Sequence, residues 1–380
     1  MRYLFALASA LIVYTWAGYP LLLKLLSSRK RYPTPSAPSQ WPMVTVVTLA
    51  YNEEEEIRAK LENLIGLDYP RDCLQLLVAS DGSTDATNDI VREYADRGIE
   101  LYARSPNAGT TTTFNEAVAL ARGEIVVHSD VDTRYRPDYL RKIVPHYRDP
   151  RVGVVEGEFR FMNESSSGVA QNQALYWRFE MFLRRAESRI GILGTVSGAL
   201  MSFRKAVYEP FLPHQSVDGS LPKLAIQKGY RVVHEPEALA YEVLVKSVRG
   251  EFRGRVRMTS RNLLGWGASE ALLNVRKYPG ISFALVSHKI LRWLTPVFMI
   301  TAFLSNLVLV CRWFYRVALL SQIGFYLCAV IGYALEGRGV RVRLFSAPFS
   351  FCLANLGFLV GMWKALTGQK TVTYRGGDQA

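Results

Sequence analysis

Two kinds of hydrophobic pattern divide this chain of 380 residues. Between residues 43 and 280, short apolar runs alternate with stretches in which apolar residues recur every three or four positions. The short β-branched runs predict strands, and the three-to-four spacing predicts amphipathic helices. Long apolar runs with few charges occupy both ends of the chain. The pattern therefore predicts one globular unit, residues 43–280, between two lipid-soluble ends.

The globular unit begins with strands and helices that alternate along the chain. The predicted strands are residues 43–49, 74–79, 99–103 and 124–129, and the predicted helices between them are 53–65, 86–97 and 111–122. This alternation predicts an α/β fold with a parallel sheet and flanking helices. Ligands of such sheets bind beyond the carboxyl ends of the strands, so the residues that follow each strand form the candidate site.

The amino-terminal apolar run is long enough to cross a bilayer. Residues 4–26 carry no charge before Lys24, and a helix of this length spans ~30 Å of hydrocarbon. A cleaved signal peptide is the alternative, but the run is too long for one and no small-residue cleavage site ends it. Basic residues follow at 29–31, which predicts that the globular unit faces the cytoplasm. We therefore divide this end into a transmembrane helix, 1–26, and a linker, 27–42.

The carboxyl-terminal third carries three more candidate spans, at 293–310, 315–334 and 344–363, which we group as transmembrane residues 293–366. Residues 281–292 mix charged and apolar positions, which predicts an amphipathic helix at the membrane interface. Residues 367–380 are the predicted tail. The expected location is the cytoplasmic (inner) membrane, crossed several times.

The net charge of +13 changes this interpretation little. Basic residues cluster beside the apolar segments, where anionic lipid headgroups lie, and no nucleic-acid-binding motif accompanies them. We therefore expect membrane lipids as partners and no nucleic acid. The four cysteines have neither paired nor metal-binding spacing, which argues against a disulfide framework or a zinc site.

Acidic and amide side chains follow three of the predicted strands. Asn52 and Glu53 follow the first strand, Asp81 the second, and Asp130 and Asp132 the fourth. Each group alone also suits a turn or a helix cap. Because the carboxyl ends of parallel strands meet at one edge, the three groups are expected to converge in one crevice. Carboxylates two residues apart can share one hard cation, Mg²⁺ or Mn²⁺, whose shell substrate phosphates complete.

In these motifs the chain resembles the family 2 glycosyltransferases, whose catalytic domain has the GT-A nucleotide-sugar-binding fold. The segments that carry the resemblance are 46–53, 80–85, 107–117, 123–133, 176–204, 218–242 and 253–261. The stretch 176–180, Tyr-Trp-Arg-Phe-Glu, is similar to the membrane-anchored polysaccharide-synthase-like branch. The resemblance implies a Rossmann-like GT-A domain with transmembrane helices at both ends.

The resemblance also implies roles for particular side chains. Asn52, Glu53 and Asp81 are expected to hold the nucleoside of the donor. Asp130 is expected near the donor ribose and diphosphate, and with Asp132 it is the expected Mg²⁺ or Mn²⁺ site.

Two further positions complete the implied site. Asp218 aligns with the family's general base, which takes the proton of the acceptor hydroxyl. One base, one metal and in-line attack would invert the anomeric centre. An Asp-Gly turn at 218–219 is the structural alternative. Arg257 aligns with the arginine of a Gln-x-x-Arg-Trp motif and is expected to bind the donor.

Three departures from the family pattern affect the prediction. Many relatives have Gly-Lys where this chain has Gly109-Thr110, so a positive charge near the donor is missing. The acidic pair often found at the base position is reduced to Asp218. Met258 replaces the motif's tryptophan, a stacking platform for the acceptor sugar, and Gly254 replaces its glutamine. This loss favours single addition over processive synthesis.

Nearby residues leave alternatives open. Trp266 can serve as a substitute platform or as an interface anchor. Arg253, Arg257 and Arg261 lie on one helix face and can bind the donor diphosphate, an anionic lipid-phosphate acceptor or membrane headgroups.

The predicted function is therefore a membrane-bound inverting glycosyltransferase. It would move a sugar from a nucleotide-sugar donor to a lipid-linked or membrane-proximal glycan acceptor, in cell-envelope or extracellular polysaccharide synthesis. The alternatives are a processive polysaccharide synthase and a catalytically silent scaffold within a polysaccharide assembly complex.

Overall fold

A computed structural model describes residues 1–30, 35–163, 167–244, 247–264, 270–340 and 342–368 of the chain. Trp266, residues 31–34 of the predicted linker and residues 369–380 of the predicted tail lie outside the described residues.

Eight strands within the described residues form one sheet. They are β1 (Val44–Ala50), β2 (Leu74–Asp81), β3 (Ile99–Arg104), β4 (Ile125–Asp130), β5 (Arg134–Tyr135), β6 (Val152–Phe161), β7 (Met201–Arg204) and β8 (Arg231–Glu242). Their order is β3-β2-β1-β4-β7-β6-β8-β5. The first four predicted strands pair in parallel, as expected. β7 is antiparallel to both β4 and β6, and β8 is parallel to β6. Six strands, β1, β2, β3, β4, β6 and β8, therefore end at one edge.

The helices of the described residues flank this sheet and extend beyond it. They are α1 (Arg2–Ser27), α2 (Ile57–Ile65), α3 (Thr87–Arg92), α4 (Thr110–Leu120), α5 (Tyr139–Ile143), α6 (Gly168–Ile190), α7 (Val217–Gln227), α8 (Val248–Leu264), α9 (Pro279–Leu309), α10 (Trp313–Glu336) and α11 (Arg343–Leu366). The first predicted helix begins at Ile57 rather than at residue 53 because the residues after β1 form a loop, in which Asn52 has a positive φ of 54°.

The mostly apolar, β-branched sequence of β1 is explained by burial on both faces of the sheet. Val46 packs with Ile57 and Leu61 of α2, whereas Val47 packs with Phe114 of α4. Alternate residues of a strand point to opposite faces, so two helical layers bury side chains of both sets, including Thr45 and Thr48. The parallel half of the sheet is thus the rigid base of the molecule.

Among the described residues, four helices are long and apolar enough to cross a membrane: α1, α9, α10 and α11. Their number and order match the four predicted spans. Residues 281–292 do not form a separate element, because helical structure continues from Pro279 to Leu309 through a π-helical segment. The helix therefore has no break at the predicted boundary between residues 292 and 293. The position of residues 281–292 at the membrane interface stays a prediction.

A buried cluster of charges joins the globular unit to these helices. Glu180 of α6 is 1% exposed and accepts hydrogen bonds from Arg184 at 3.1 Å and from Lys289 at 2.7 Å. His288 lies 3.1 Å from the same carboxylate, and Arg292 also pairs with it. Burial raises the pKa of Glu180, but these cations together lower it well below its ordinary value. One carboxylate thus anchors α9 on α6.

A second carboxylate extends the cluster to the amino-terminal helix. Glu187 accepts a 2.7 Å hydrogen bond from the Tyr19 hydroxyl of α1, and His288 lies 2.7 Å from the same oxygen. All three side chains are at most 2% exposed. Helices α1, α6 and α9 are therefore connected by polar contacts that water does not reach.

Removing the charge of Glu180 should destabilise the protein strongly. In Glu180→Gln the buried cations lose their counter-ion, which costs about 3–5 kcal/mol for a broken buried pair. Thermal denaturation of the detergent-solubilised protein measures the effect. Glu93→Gln is the matched control, since Glu93 pairs with Arg58 at the surface, 2.8 Å apart, and exposed pairs contribute about 0–1 kcal/mol. Equal losses in the two variants would contradict a structural role for the cluster.

Candidate functional site

A cavity of about 1070 Å³ lies beside the ends of five of these strands, β1, β2, β4, β6 and β8. Each strand, or the loop that follows it, contributes to the wall: Glu53 after β1, Asp81 of β2, Asp130 of β4, Phe161 of β6 and Glu242 of β8. Helix α8 and the end of α11 line the opposite part of the cavity. The predicted crevice is therefore present, and its walls come from both the sheet and the helical part.

Four carboxylates interact within this cavity. Burial and the neighbouring Asp130 raise the pKa of Asp132 to about 6. Burial, Asp132 and other nearby acids raise the pKa of Glu53 to about 7. Burial, followed by Asp132 and Asp130, raises the pKa of Glu242 well above its ordinary value. The strand ends thus concentrate negative charge in one place.

A buried lysine supports the loop that carries two of these acids. Lys60 of α2 is 0% exposed, donates to the carbonyl of Thr133 and lies 4.5 Å from the ring centroid of Tyr135. Burial lowers the pKa of Lys60 to about 7, while Asp130 and Asp132 oppose that shift. Lys60 therefore places positive charge behind the acidic loop.

Asp81 lines the cavity, but its carboxylate also holds a neighbouring loop. It accepts hydrogen bonds from the backbone N–H groups of Ala108 and Gly109, both at 2.9 Å. The Thr113 hydroxyl donates a third bond at 2.7 Å. Asp81 therefore fixes the start of α4 beside the site.

Asn52 does not line the cavity. Its side-chain oxygen accepts a 2.8 Å hydrogen bond from the Thr84 N–H, and its own N–H donates to the Ser83 hydroxyl at 3.1 Å. Asn52 thus joins the loops after β1 and β2, and asparagine tolerates the positive φ that this requires. Its predicted contact with the donor stays a prediction.

Asp218 lines the same cavity from the first turn of α7. Ser216 caps this helix by accepting from the Gly219 N–H, and its hydroxyl donates to the Asp218 carboxylate. A carboxylate is stabilised there by the helix dipole. A Cβ atom added at Gly198 would lie 3.4 Å from Asp218 Cβ and 3.6 Å from His128 Cε1, so Gly198 lies between Asp218 and β4.

The loop beside Asp218 is held by the sheet and, through it, by the buried charge cluster. Ser197 lines the cavity, and its N–H donates to the carboxylate of Glu156 in β6. Glu156 is 0% exposed, pairs with Arg184 and lies 3.0 Å from His234. Because Arg184 also binds Glu180, a continuous set of buried contacts leads from the helices to the site.

Helix α8 carries the cations of the cavity. Arg257 and Arg261 both line it, one helical turn apart. Helix α8 packs closely on α11, where Gly357 and Gly361 lie four residues apart. A Cβ atom at these glycines would lie 2.6 Å from Arg255 Cβ and 2.7 Å from Thr259 Cβ, respectively. Small residues at this spacing let two helices approach each other. The position of the cations therefore depends on α11.

Comparison with known proteins agrees with this geometry. The family model described as glycosyl transferase family 2 matches residues 45–211, which carry β1, β2, β4 and the acidic loops. Residues 45–211 are thus similar to glycosyl transferase family 2.

Two curated relatives are each 24% identical to this chain and are named poly-β-1,6-N-acetyl-D-glucosamine synthase. One, from Staphylococcus epidermidis, matches over 277 residues, which are 70% of this chain and 65% of the relative. The other, from Staphylococcus aureus (strain COL), matches over 221 residues, 56% of this chain and 53% of the relative. The chain thus spans less than two thirds of the length of these relatives.

A solved structure is similar over almost the whole chain. The mannosyltransferase PcManGT from Pyrobaculum calidifontis, solved in complex with GDP-Man and Mn²⁺, superposes with a TM-score of 0.75 at 24% identity. The match covers 97% of this chain and 100% of the mannosyltransferase chain. This similarity confirms the GT-A fold, including the helices at both ends.

The acids of the cavity suit a hard divalent cation that is bound together with a substrate. Among the described residues, no group of three or more His, Cys, Asp or Glu side chains is arranged to hold a metal ion by itself. Burial and the negative charge of Asp130 nevertheless raise the pKa of Asp132 to about 6. A cation would relieve this repulsion, and Mg²⁺ commonly uses one or two carboxylates plus phosphate oxygens.

The sequence motifs did not reveal all of these residues. Glu242 was missed because strand prediction ended at residue 129, although the strand-end rule applies equally to β8. Lys60 was missed because helical spacing does not show that a charged side chain is buried. Trp177 was noted only as part of a motif, yet it lines the cavity and lies 5.5 Å, between ring centroids, from Phe159.

The acidic cavity should make stability depend on pH. The pKa of Glu53 is about 7 in the folded protein and 4.5 without its surroundings, so folding binds protons between these values. The contribution of Glu53 to the free energy of unfolding therefore falls as pH rises through this window. We expect Glu53→Gln to raise the melting temperature, relative to the unsubstituted protein, more at pH 8 than at pH 5 in metal-free buffer.

Glu55→Gln provides the control for this measurement, because Glu55 is exposed on the same loop. Its melting temperature should follow that of the unsubstituted protein at both pH values. A pH-independent difference for Glu53→Gln would show that Glu53 does not titrate in this window.

Proposed function

We propose that the protein is a membrane-bound, inverting glycosyltransferase that moves one sugar from a nucleotide-sugar donor to a lipid-linked or membrane-proximal glycan acceptor. The observation that carries this proposal is the meeting of Asp130, Asp132, Asp218 and Arg257 in one cavity of a family 2 domain. Such a cavity holds an acid pair for a metal, a carboxylate for a proton and a cation for a diphosphate.

The reaction assigns a distinct task to each side chain. Asp218 accepts the proton of the acceptor hydroxyl while the oxygen forms a bond to the anomeric carbon. The bond from that carbon to the donor diphosphate breaks on the opposite face, which inverts the anomeric centre. Arg257 binds the departing diphosphate. A Mg²⁺ or Mn²⁺ ion held by Asp132 and Asp130 would supply further positive charge to the leaving group.

The nucleoside of the donor is assigned to the loops after β1 and β2. Glu53 and Asp81 line this part of the cavity, and Asn52 holds the two loops together. The rings of Trp177 and Phe161 line the cavity as well, and aromatic faces suit the apolar faces of sugar rings. We therefore assign the acceptor sugar to this aromatic side, which takes the place of the tryptophan that Met258 replaces.

A membrane-proximal acceptor follows from the place of the cavity. Its lining includes Val360 and Lys364, near the end of α11, a helix long and apolar enough to cross a membrane. An acceptor attached to a lipid could thus reach Asp218 while its tail stays in the bilayer. We propose the cytoplasmic (inner) membrane as the location, with the globular unit on the cytoplasmic side.

Processive polymer synthesis is the second candidate. The names of the curated relatives, which are polysaccharide synthases, favour it. The absence of the Gln-x-x-Arg-Trp tryptophan at Met258 favours single addition. Mass spectrometry of the products distinguishes the two, because single addition yields one defined increment and processive synthesis yields a ladder.

Nucleotide binding provides the direct test of donor class. The detergent-purified protein should be stabilised by one of UDP, GDP, CDP and dTDP, and only with Mn²⁺ or Mg²⁺ present. A ligand at a hundred times its Kd stabilises the folded state by about 2.7 kcal/mol. Thermal denaturation with each pair measures the shift. No shift with any nucleotide would instead favour a catalytically silent scaffold.

Two substitutions separate the proposed roles in catalysis. Asp218→Asn should bind the nucleotide as before but lose about 10²- to 10⁴-fold in transfer rate, because only the base is removed. Asp132→Asn should lose the metal-dependent part of nucleotide binding and activity together. Transfer of labelled donor and thermal shifts with nucleotide are the two measurements. Full turnover by Asp218→Asn would assign the base to another group.

A further inference from the structure

Arg261 bridges the cationic helix and the start of α4. Its Nη2 atom lies 3.4 Å from the hydroxyl oxygen of Thr110, the first residue of α4, and both residues line the large cavity. The two belong to elements distant in sequence, 151 residues apart. This contact places a guanidinium at the position where the loop 107–110 has no charge of its own.

Charges of both signs surround Arg261. Burial lowers the pKa of its guanidinium, and the carboxylates of Asp218 and Asp130 oppose that effect. The positive charge of Arg257, on the same helix, adds to the effect of burial and also lowers this pKa. Arginine keeps its charge in proteins, so two partly buried cations face one cavity one turn apart. A ligand with several negative oxygens would offset both.

The neighbouring loop cannot supply this charge. The N–H groups of Ala108 and Gly109 donate to the carboxylate of Asp81, which also accepts from Thr113. A carboxylate therefore already occupies these donors at the start of α4. The cation that contacts Thr110 is Arg261, which belongs to helix α8 and not to this loop.

We propose that Arg261 binds the diphosphate of the nucleotide-sugar donor and delivers, from α8, the positive charge that the Gly109-Thr110 loop lacks. The assignment rests on the proposed function, since it requires a nucleoside diphosphate in this cavity. It also makes the donor site depend on helix packing. Helix α8 lies against Gly357 and Gly361 of α11, so the donor site is complete only when α8 is seated on that helix.

The test first removes the positive charge at residue 261 and then introduces one at residue 110. Arg261→Gln should weaken the binding of UDP or GDP, whichever the unsubstituted protein binds with Mn²⁺, by about 10- to 100-fold. Binding of the matching nucleoside, uridine or guanosine, should not change. Because Thr110 contacts Arg261, a lysine at 110 places an ammonium in the same region, and Thr110→Lys in the Arg261→Gln background should restore much of the affinity.

Three comparisons make the result decisive. Arg261→Lys should keep most of the affinity, and Arg249→Gln, an exposed charge on the same helix outside the large cavity, should keep all of it. The melting temperature of each variant without ligand reports folding separately. Unchanged nucleotide affinity in a folded Arg261→Gln would overturn the assignment, and so would failure of Thr110→Lys to restore it. Absence of binding by the unsubstituted protein would instead overturn the proposed donor.

Discussion

The buried carboxylate of Glu180 determines how the globular unit is arranged relative to helix α9. It contacts Arg184 within its own helix and His288, Lys289 and Arg292 of α9, and no water layer separates them. Charges desolvated in this way are favourable only when every partner is in place, so the cluster tolerates one relative position of α6 and α9. Arg184 carries that constraint into the sheet through Glu156.

The constraint reaches the site because Glu156 also accepts the N–H of Ser197. The residue that follows, Gly198, lies between Asp218 and His128, where an added Cβ atom would contact both. The loop between Asp218 of α7 and the strand that carries Asp130 is therefore anchored in the buried cluster. The contacts of the buried charge cluster therefore determine both the position of the apolar helices and the geometry of the cavity.

The sequence allowed the prediction of the part of the site that depends on local rules. Asp81 and Asp130 end apolar strands of a βαβ pattern, and that pattern is sufficient to bring them to one edge. Glu242 obeys the same rule but lies on β8, which joins the sheet through β6, beyond the antiparallel strand β7. The burial of Lys60 depends on tertiary packing over Tyr135, which leaves no periodic signal. Local rules therefore identified the acids of the parallel strands, and long-range packing supplied the rest.

The charges of the cavity come from two different sources, and this has a thermodynamic consequence. The acids belong to the sheet, whereas Arg257 and Arg261 belong to a helix held against α11 by Gly357 and Gly361. An anionic donor that contacts both sets binds best when α8 is seated. Linkage is reciprocal, so a donor that prefers the seated helix must also strengthen the packing of α8 on α11 by the same free energy. Under the proposed function, the apolar helices and the nucleotide are then not independent, because each stabilises the conformation that the other requires.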